Sequence, residues 1–179
     1  MMTPAKVIEV PGQPHTFGLA TARSMLRKLE WEVAEVERQD PFTAFRAFNT
    51  AVTAWHLVDW VWSDLARSGN GRGGKAQRAF QDRCRTACPG LKLCEAITNA
   101  SKHSGSDRGE RAGSCTTLIA DVVYAKCGAA VCGEPLSTWT WRLIIRDGEH
   151  EYAAADVFDR ILVFWRALIE RELPKAILA

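Results

Sequence analysis

The spacing of apolar residues in this chain changes twice, and the two changes fix most of what it can fold into. From about residue 17 to residue 103, apolar residues return every three or four positions. Between about 115 and 153 they alternate, and from about 155 the helical spacing resumes. A period near 3.6 lines one face of a helix, and a period of 2 lines one face of a strand. The order is therefore helices, then strands, then a closing helix. This predicts an α+β fold: mainly a helical bundle, with a small antiparallel β-meander inserted before the C-terminal helix. At 179 residues the chain fits one domain (1–179), with the β-insertion at about 115–153.

Residues 1–15 read as an arm in which Lys6 to Val10 could form a short strand before Pro11, Gly12 and Pro14. Leu19, Ala22, Met25 or Leu26, Leu29, Val33 and Val36 predict a first helix over 17–39. Asp40-Pro41 is an N-cap residue followed by proline at the first helical position, so a second helix should run from Pro41 to about Arg67. Phe45, Phe48, Val52, Trp55, Trp62 and Leu65 are expected on its buried side. The glycine-rich stretch 68–75 is a loop. A shorter helix over 75–87 stops at Pro89-Gly90, and another covers 91–102.

Strands are expected over 116–126 and 137–146, with Trp139, Trp141, Leu143 and Ile145 on one face. Asp147-Gly148 should turn the chain into a short strand over 149–153. The last helix, about 155–173, is amphipathic through Val157, Ile161, Phe164, Trp165, Leu168 and Ile169.

Bulk composition excludes little. A net charge of +2 gives no global argument for nucleic acid or membrane, and no run approaches the ~20 apolar residues of a spanning helix. The N-terminus lacks the apolar core of a signal peptide. A cytoplasmic protein is expected, with Cys84, Cys88, Cys94, Cys115, Cys127 and Cys132 reduced and packing as small hydrophobes. Their spacings lack paired C-x-x-C knuckles, so no structural zinc is expected. GNGRGGKA over 69–76 falls short of a phosphate loop, because Ala76 stands where the chemistry needs a hydroxyl. Seven bases against one acid between Arg67 and Lys92 read as a phosphate-binding segment or, more commonly, a solvated surface.

Two stretches carry polar groups at helical spacing. Asn49, Val52, His56 and Asp59 follow one another at intervals of 3, 4 and 3, and Asn99, Lys102 and His103 cluster at the end of the fourth helix. If both stripes are buried and face each other, they form one internal polar cluster. Asp59 could orient the His56 imidazole for general acid–base work. His56, Asp59 and His103 could hold a metal, although no metal or cofactor is expected. Alternatively, the groups only satisfy one another and lock two helices in register.

Asn99-Ala100-Ser101-Lys102-His103 resembles the N-x-x-x-H part of the R-N-x-x-x-H signature of the HEPN superfamily, helical-bundle proteins of prokaryotic toxin and defence systems. Pairing His56-Leu57-Val58-Asp59-Trp60 with Asn99 to His103 also resembles uncharacterised bacterial proteins of similar length. The HEPN resemblance implies a homodimer that cleaves RNA without a metal, with His103 as the acid–base group and Asn99 as its polar support. Where that signature carries arginine this chain has Thr98, so Lys102 or Arg46 would have to supply the cation for phosphate, with His56 and Asp59 as further catalytic candidates. The leading expectation is a HEPN-like protein that acts on or binds RNA, with an antitoxin-like protein as a candidate partner. The competing expectation is a non-enzymatic interaction or regulatory protein whose polar cluster is structural.

Overall fold

Helix α1 (Ala22–Val36) starts where two short polar side chains cap it. Thr21 is extended, with φ −141°, and its hydroxyl accepts the Ser24 N–H at 3.1 Å, while Ser24 Oγ accepts the Thr21 N–H at 3.0 Å. This reciprocal box satisfies donors that a helix start otherwise leaves open. It also explains why the helix begins at Ala22 and not at residue 17. The computed structural model describes residues 18–38, 42–67, 73–102, 115–123 and 139–173. The expected Asp40-Pro41 restart and the arm over 1–15 lie outside them.

Helix α2 (Thr43–Arg67) runs antiparallel to α1, and three polar links give the register. Asp64 Oδ2 accepts the Ala22 N–H at 2.8 Å, Lys28 Nζ donates to Thr53 Oγ1 at 2.6 Å, and Arg46 Nε lies 3.6 Å from Glu35 Oε2. The Asp64 carboxylate thus sits at the positive end of α1, where a negative charge is favoured.

Helix α3 (Gly74–Ala87) follows Gly73, whose φ of +110° is open to glycine alone at little cost. Helix α4 (Gly90–Lys102) begins two residues after Cys88. A Cβ on Gly90 would lie 3.1 Å from Val157 Cγ1 and 3.3 Å from Ile161 Cδ1, so the glycine permits the close approach of α4 to the last helix.

The strands form a meander in the order β1 (Cys115–Val123), β2 (Trp139–Asp147) and β3 (His150–Ala153), both pairings antiparallel. Cys115 faces Asp147 at one end of β1–β2 and Val123 faces Trp139 at the other; Ile144 faces Ala153 across β2–β3. The hairpin loop is Gly148-Glu149, one residue later than expected. Gly148, at φ +59°, takes the first loop position and Asp147 stays paired with His150. On β2, Ile145 is buried and Leu143 is half-buried.

Helix α5 (Ala154–Glu172) closes the bundle antiparallel to α1, through Arg23–Glu170 at the start of α1 and Glu30–Arg166 near its middle. The fold is α+β, a helical bundle with a small antiparallel sheet before its last helix.

The core corrects the expected orientation of α2. Its buried stripe is Thr50, Ala51, Thr53, Ala54, Leu57, Val58, Val61 and Leu65. Phe45 and Phe48 face outward, and Val52, Trp55 and Trp62 are only half-buried. The small residues decide this. They let α1 and α5 approach α2 closely enough for Trp165, wholly enclosed, to lodge against it and donate its indole N–H to the Ala54 carbonyl at 3.1 Å. Placing the aromatics inward would hold those helices apart and leave a buried indole donor unsatisfied, which costs on the order of 1–3 kcal/mol. No helix among the described residues is long and apolar enough to cross a membrane.

Candidate functional site

The rotation of α2 moves the first polar stripe out of the interior. Asn49 and Asp59 are exposed, and Val52 and His56 are half-buried. The four residues share a face, as their spacing requires, but it is the solvent-side face and not the wall of a sealed cluster. α4 packs along α2 and carries the half-buried Asn99. Lys102 is its last residue. His103, the second stripe's histidine, lies outside the described residues.

Asp59 is engaged from a third helix. Its Oδ1 accepts hydrogen bonds from Gln77 Nε2 at 3.2 Å and Gln81 Nε2 at 3.3 Å. The two glutamines are four residues apart, one turn of α3, so both amides converge on one oxygen. Asp59 therefore fastens α3 to α2. Gln77 and Gln81 were not singled out in the sequence; their i, i+4 spacing opposite an outward carboxylate was the available signal.

The candidate cations are mostly engaged as well. Arg46 is half-buried and pairs with Glu35 across the α1–α2 seam. Arg85 makes a two-pronged contact with Glu95, Nε to Oε2 at 2.6 Å and Nη2 to Oε1 at 2.7 Å, and a third with Asp82 at 2.7 Å. Its guanidinium also lies 4.9 Å from the centre of the Trp55 ring. The Glu95 hydrogen bonds hold its pKa above the ordinary arginine value. Arg83 pairs with Glu172 at 2.9 Å, and Arg67 pairs with Asp64. Of the basic run, Lys75, Arg78 and Lys92 are exposed and take part in no ion pair among the described residues. A phosphate would find fewer available charges here than seven basic residues suggest.

Thr98 occupies the position before Asn99 and is 1% exposed; its hydroxyl donates to the Cys94 carbonyl at 2.8 Å. A side chain at this position points into the bundle and cannot meet a substrate.

Two further features escaped the sequence reading. Glu32 is 5% exposed on α1; Oε1 takes the Lys28 ammonium, and Oε2 is enclosed without a hydrogen-bond partner among the described residues. Phe42, Phe45 and Phe48 are 58%, 67% and 41% exposed, an aromatic ladder at the N-terminal end of α2.

Cys84, Cys88 and Cys94 are buried thiols outside any disulfide, matching their expected packing role. Burial pushes the Cys84 thiol up to about 12, and Cys88 is raised for the same reason. Neither is an activated nucleophile, which would need a lowered pKa. No group of three or more metal-ligating side chains occurs among the described residues. No protein-family model, curated protein or solved structure matches the chain.

Proposed function

We propose that this chain is a non-enzymatic interaction protein that presents the outward face of α2 to a macromolecular partner. The observation that carries the reading is the engagement of Asp59 by Gln77 and Gln81. The carboxylate that would orient a catalytic imidazole links two helices instead. The Arg46–Glu35 and Arg85–Glu95 pairs belong to the same pattern, polar groups joining helix to helix. Three exposed phenylalanines on one helix end favour a binding role, since contiguous apolar patches on a surface commonly mark contact sites.

A second reading keeps the HEPN-like protein that acts on RNA, as a homodimer or beside an antitoxin-like partner. It is favoured by the half-buried, solvent-reached placement of His56 and Asn99 on packed neighbours. In that reading His103 moves the proton, Asn99 supports it, His56 and Asp59 assist, and Lys102 holds phosphate. Arg46 is a poor phosphate ligand because it already pairs with Glu35 across the α1–α2 seam.

One experiment separates the two. The purified chain and its Asp59→Ala and His103→Ala variants are incubated with single-stranded RNA and also unfolded in urea. The interaction reading expects intact RNA throughout, with Asp59→Ala lowering stability by about 1 kcal/mol. RNA cleavage by the parent chain that disappears in His103→Ala overturns it.

A further inference from the structure

Two features near the start of α2 match each other. The first is a cavity of about 200 Å³ between α2, α4, α5 and the sheet, its walls formed mainly by carbon from Ala44, Ala47, Phe48, Ile97, Ile145 and Phe158. Ala44 and Ala47, one turn apart, leave this space unfilled on the α2 side. The second is Phe45, next to Ala44 in the chain and 67% exposed. Its ring centre is 6.2 Å from that of Phe42, and Phe48 joins the ladder to the cavity wall. A hydrocarbon-lined cavity of about 150 Å³ stays dry and holds benzene. A void somewhat larger therefore has room for a phenylalanine ring and its methylene.

We infer that the occupant is a second copy of this chain: in a two-fold dimer, Phe45 of each copy enters the cavity of the other. A two-fold interface uses the same patch on both subunits, so that patch must be complementary to itself. A projecting ring and a ring-sized hole within one turn of one helix have this property. A single contact then covers the most exposed phenylalanine of the ladder and fills the apolar void.

The areas are in proportion. At 150–250 Å² per aromatic side chain, the exposures of Phe42, Phe45 and Phe48 amount to roughly 250–400 Å² of apolar surface per copy. A standard interface buries about 800 Å² per partner, with an apolar centre and a polar rim. The ladder supplies the centre; the exposed Glu37, Arg38 and Asn49 at its two ends supply rim. The inference rests on reading the outward face of α2 as a binding face, and it narrows the partner to a second copy.

The test is sedimentation velocity on the full chain, Phe45→Glu and Ala47→Leu over a concentration series. The parent chain should sediment as a dimer that dissociates on dilution. Phe45→Glu should weaken association at least ~30-fold, the effect of losing an interface anchor. Ala47→Leu, which fills the hole from within, should weaken it as well; unchanged circular dichroism and thermal midpoint in both variants would show that the fold is kept. A monomeric parent chain at every concentration, or a dimer that Phe45→Glu leaves intact, overturns the inference. Incubating the same samples with RNA keeps the two ideas apart. A Phe45-dependent dimer that cleaves RNA upholds the inference and refutes the non-enzymatic reading. An inert monomer refutes the inference and leaves that reading with a different partner.

Discussion

Thr98 shows how one residue limits what the α4 motif can do. Its hydroxyl is committed to the Cys94 carbonyl within the helix, and its side chain is enclosed. Thr98→Arg would restore the residue of the resembled signature, yet it would place a guanidinium in the bundle core. An unpaired buried charge is among the few causes of very large destabilisation. Urea denaturation should show a loss of at least ~3 kcal/mol, with no RNA cleavage gained. Cys84 gives a second residue-scale test. Its folded pKa of about 12 lies above the ordinary 9.0, so the folded state holds its proton more tightly than the unfolded chain. The sign follows by linkage: this stability is complete below pH 9 and is lost as pH rises toward 12. Urea midpoints should fall across that window, and Cys84→Ala should fall less steeply with pH there, whatever its lower starting stability.

At the scale of elements, the centre of the fold is the α2 stripe against Trp165. Trp165→Ala removes an enclosed indole and a hydrogen bond to Ala54. It should cost about 3–5 kcal/mol, read from chemical denaturation. Among the described residues, α1, α2, α5, β1 and β2 were legible from periodicity, α3 and α4 from the breaks that flank them, and β3 from the turn before it. Their ends were less so. The start of α1 was set by the Thr21–Ser24 box and not by the first apolar residue, and the β2–β3 loop moved one residue because Gly148 takes the left-handed position. The rotation of α2 was not legible. Both its faces are largely apolar, one in phenylalanine and tryptophan, the other in alanine, threonine and valine. Size suggested the aromatic face as core; close helix packing chose the small one. The Asn49–His56–Asp59 stripe was correctly seen as one face but assigned to the wrong side.

At the scale of the molecule, ion pairs and hydrogen bonds run from helix to helix: α1 to α2 through Glu35–Arg46, α1 to α5 through Arg23–Glu170, α2 to α3 through Asp59, α3 to α4 through Arg85–Glu95, and α3 to α5 through Arg83–Glu172. Exposed pairs of this kind are individually worth less than about 1 kcal/mol, but they take up polar groups that the sequence offered as chemistry. The phenylalanines at the start of α2 are exposed, and His56 further along it is half-buried. On the proposed reading this surface meets a partner and the polar residues are structural. The most direct test is a cleavage time course on single-stranded RNA, with protein in excess over substrate, comparing the parent chain with His103→Ala on a denaturing gel. A structural role for the polar residues predicts full-length RNA in both lanes at every time; cleavage by the parent chain that is absent from His103→Ala would contradict it.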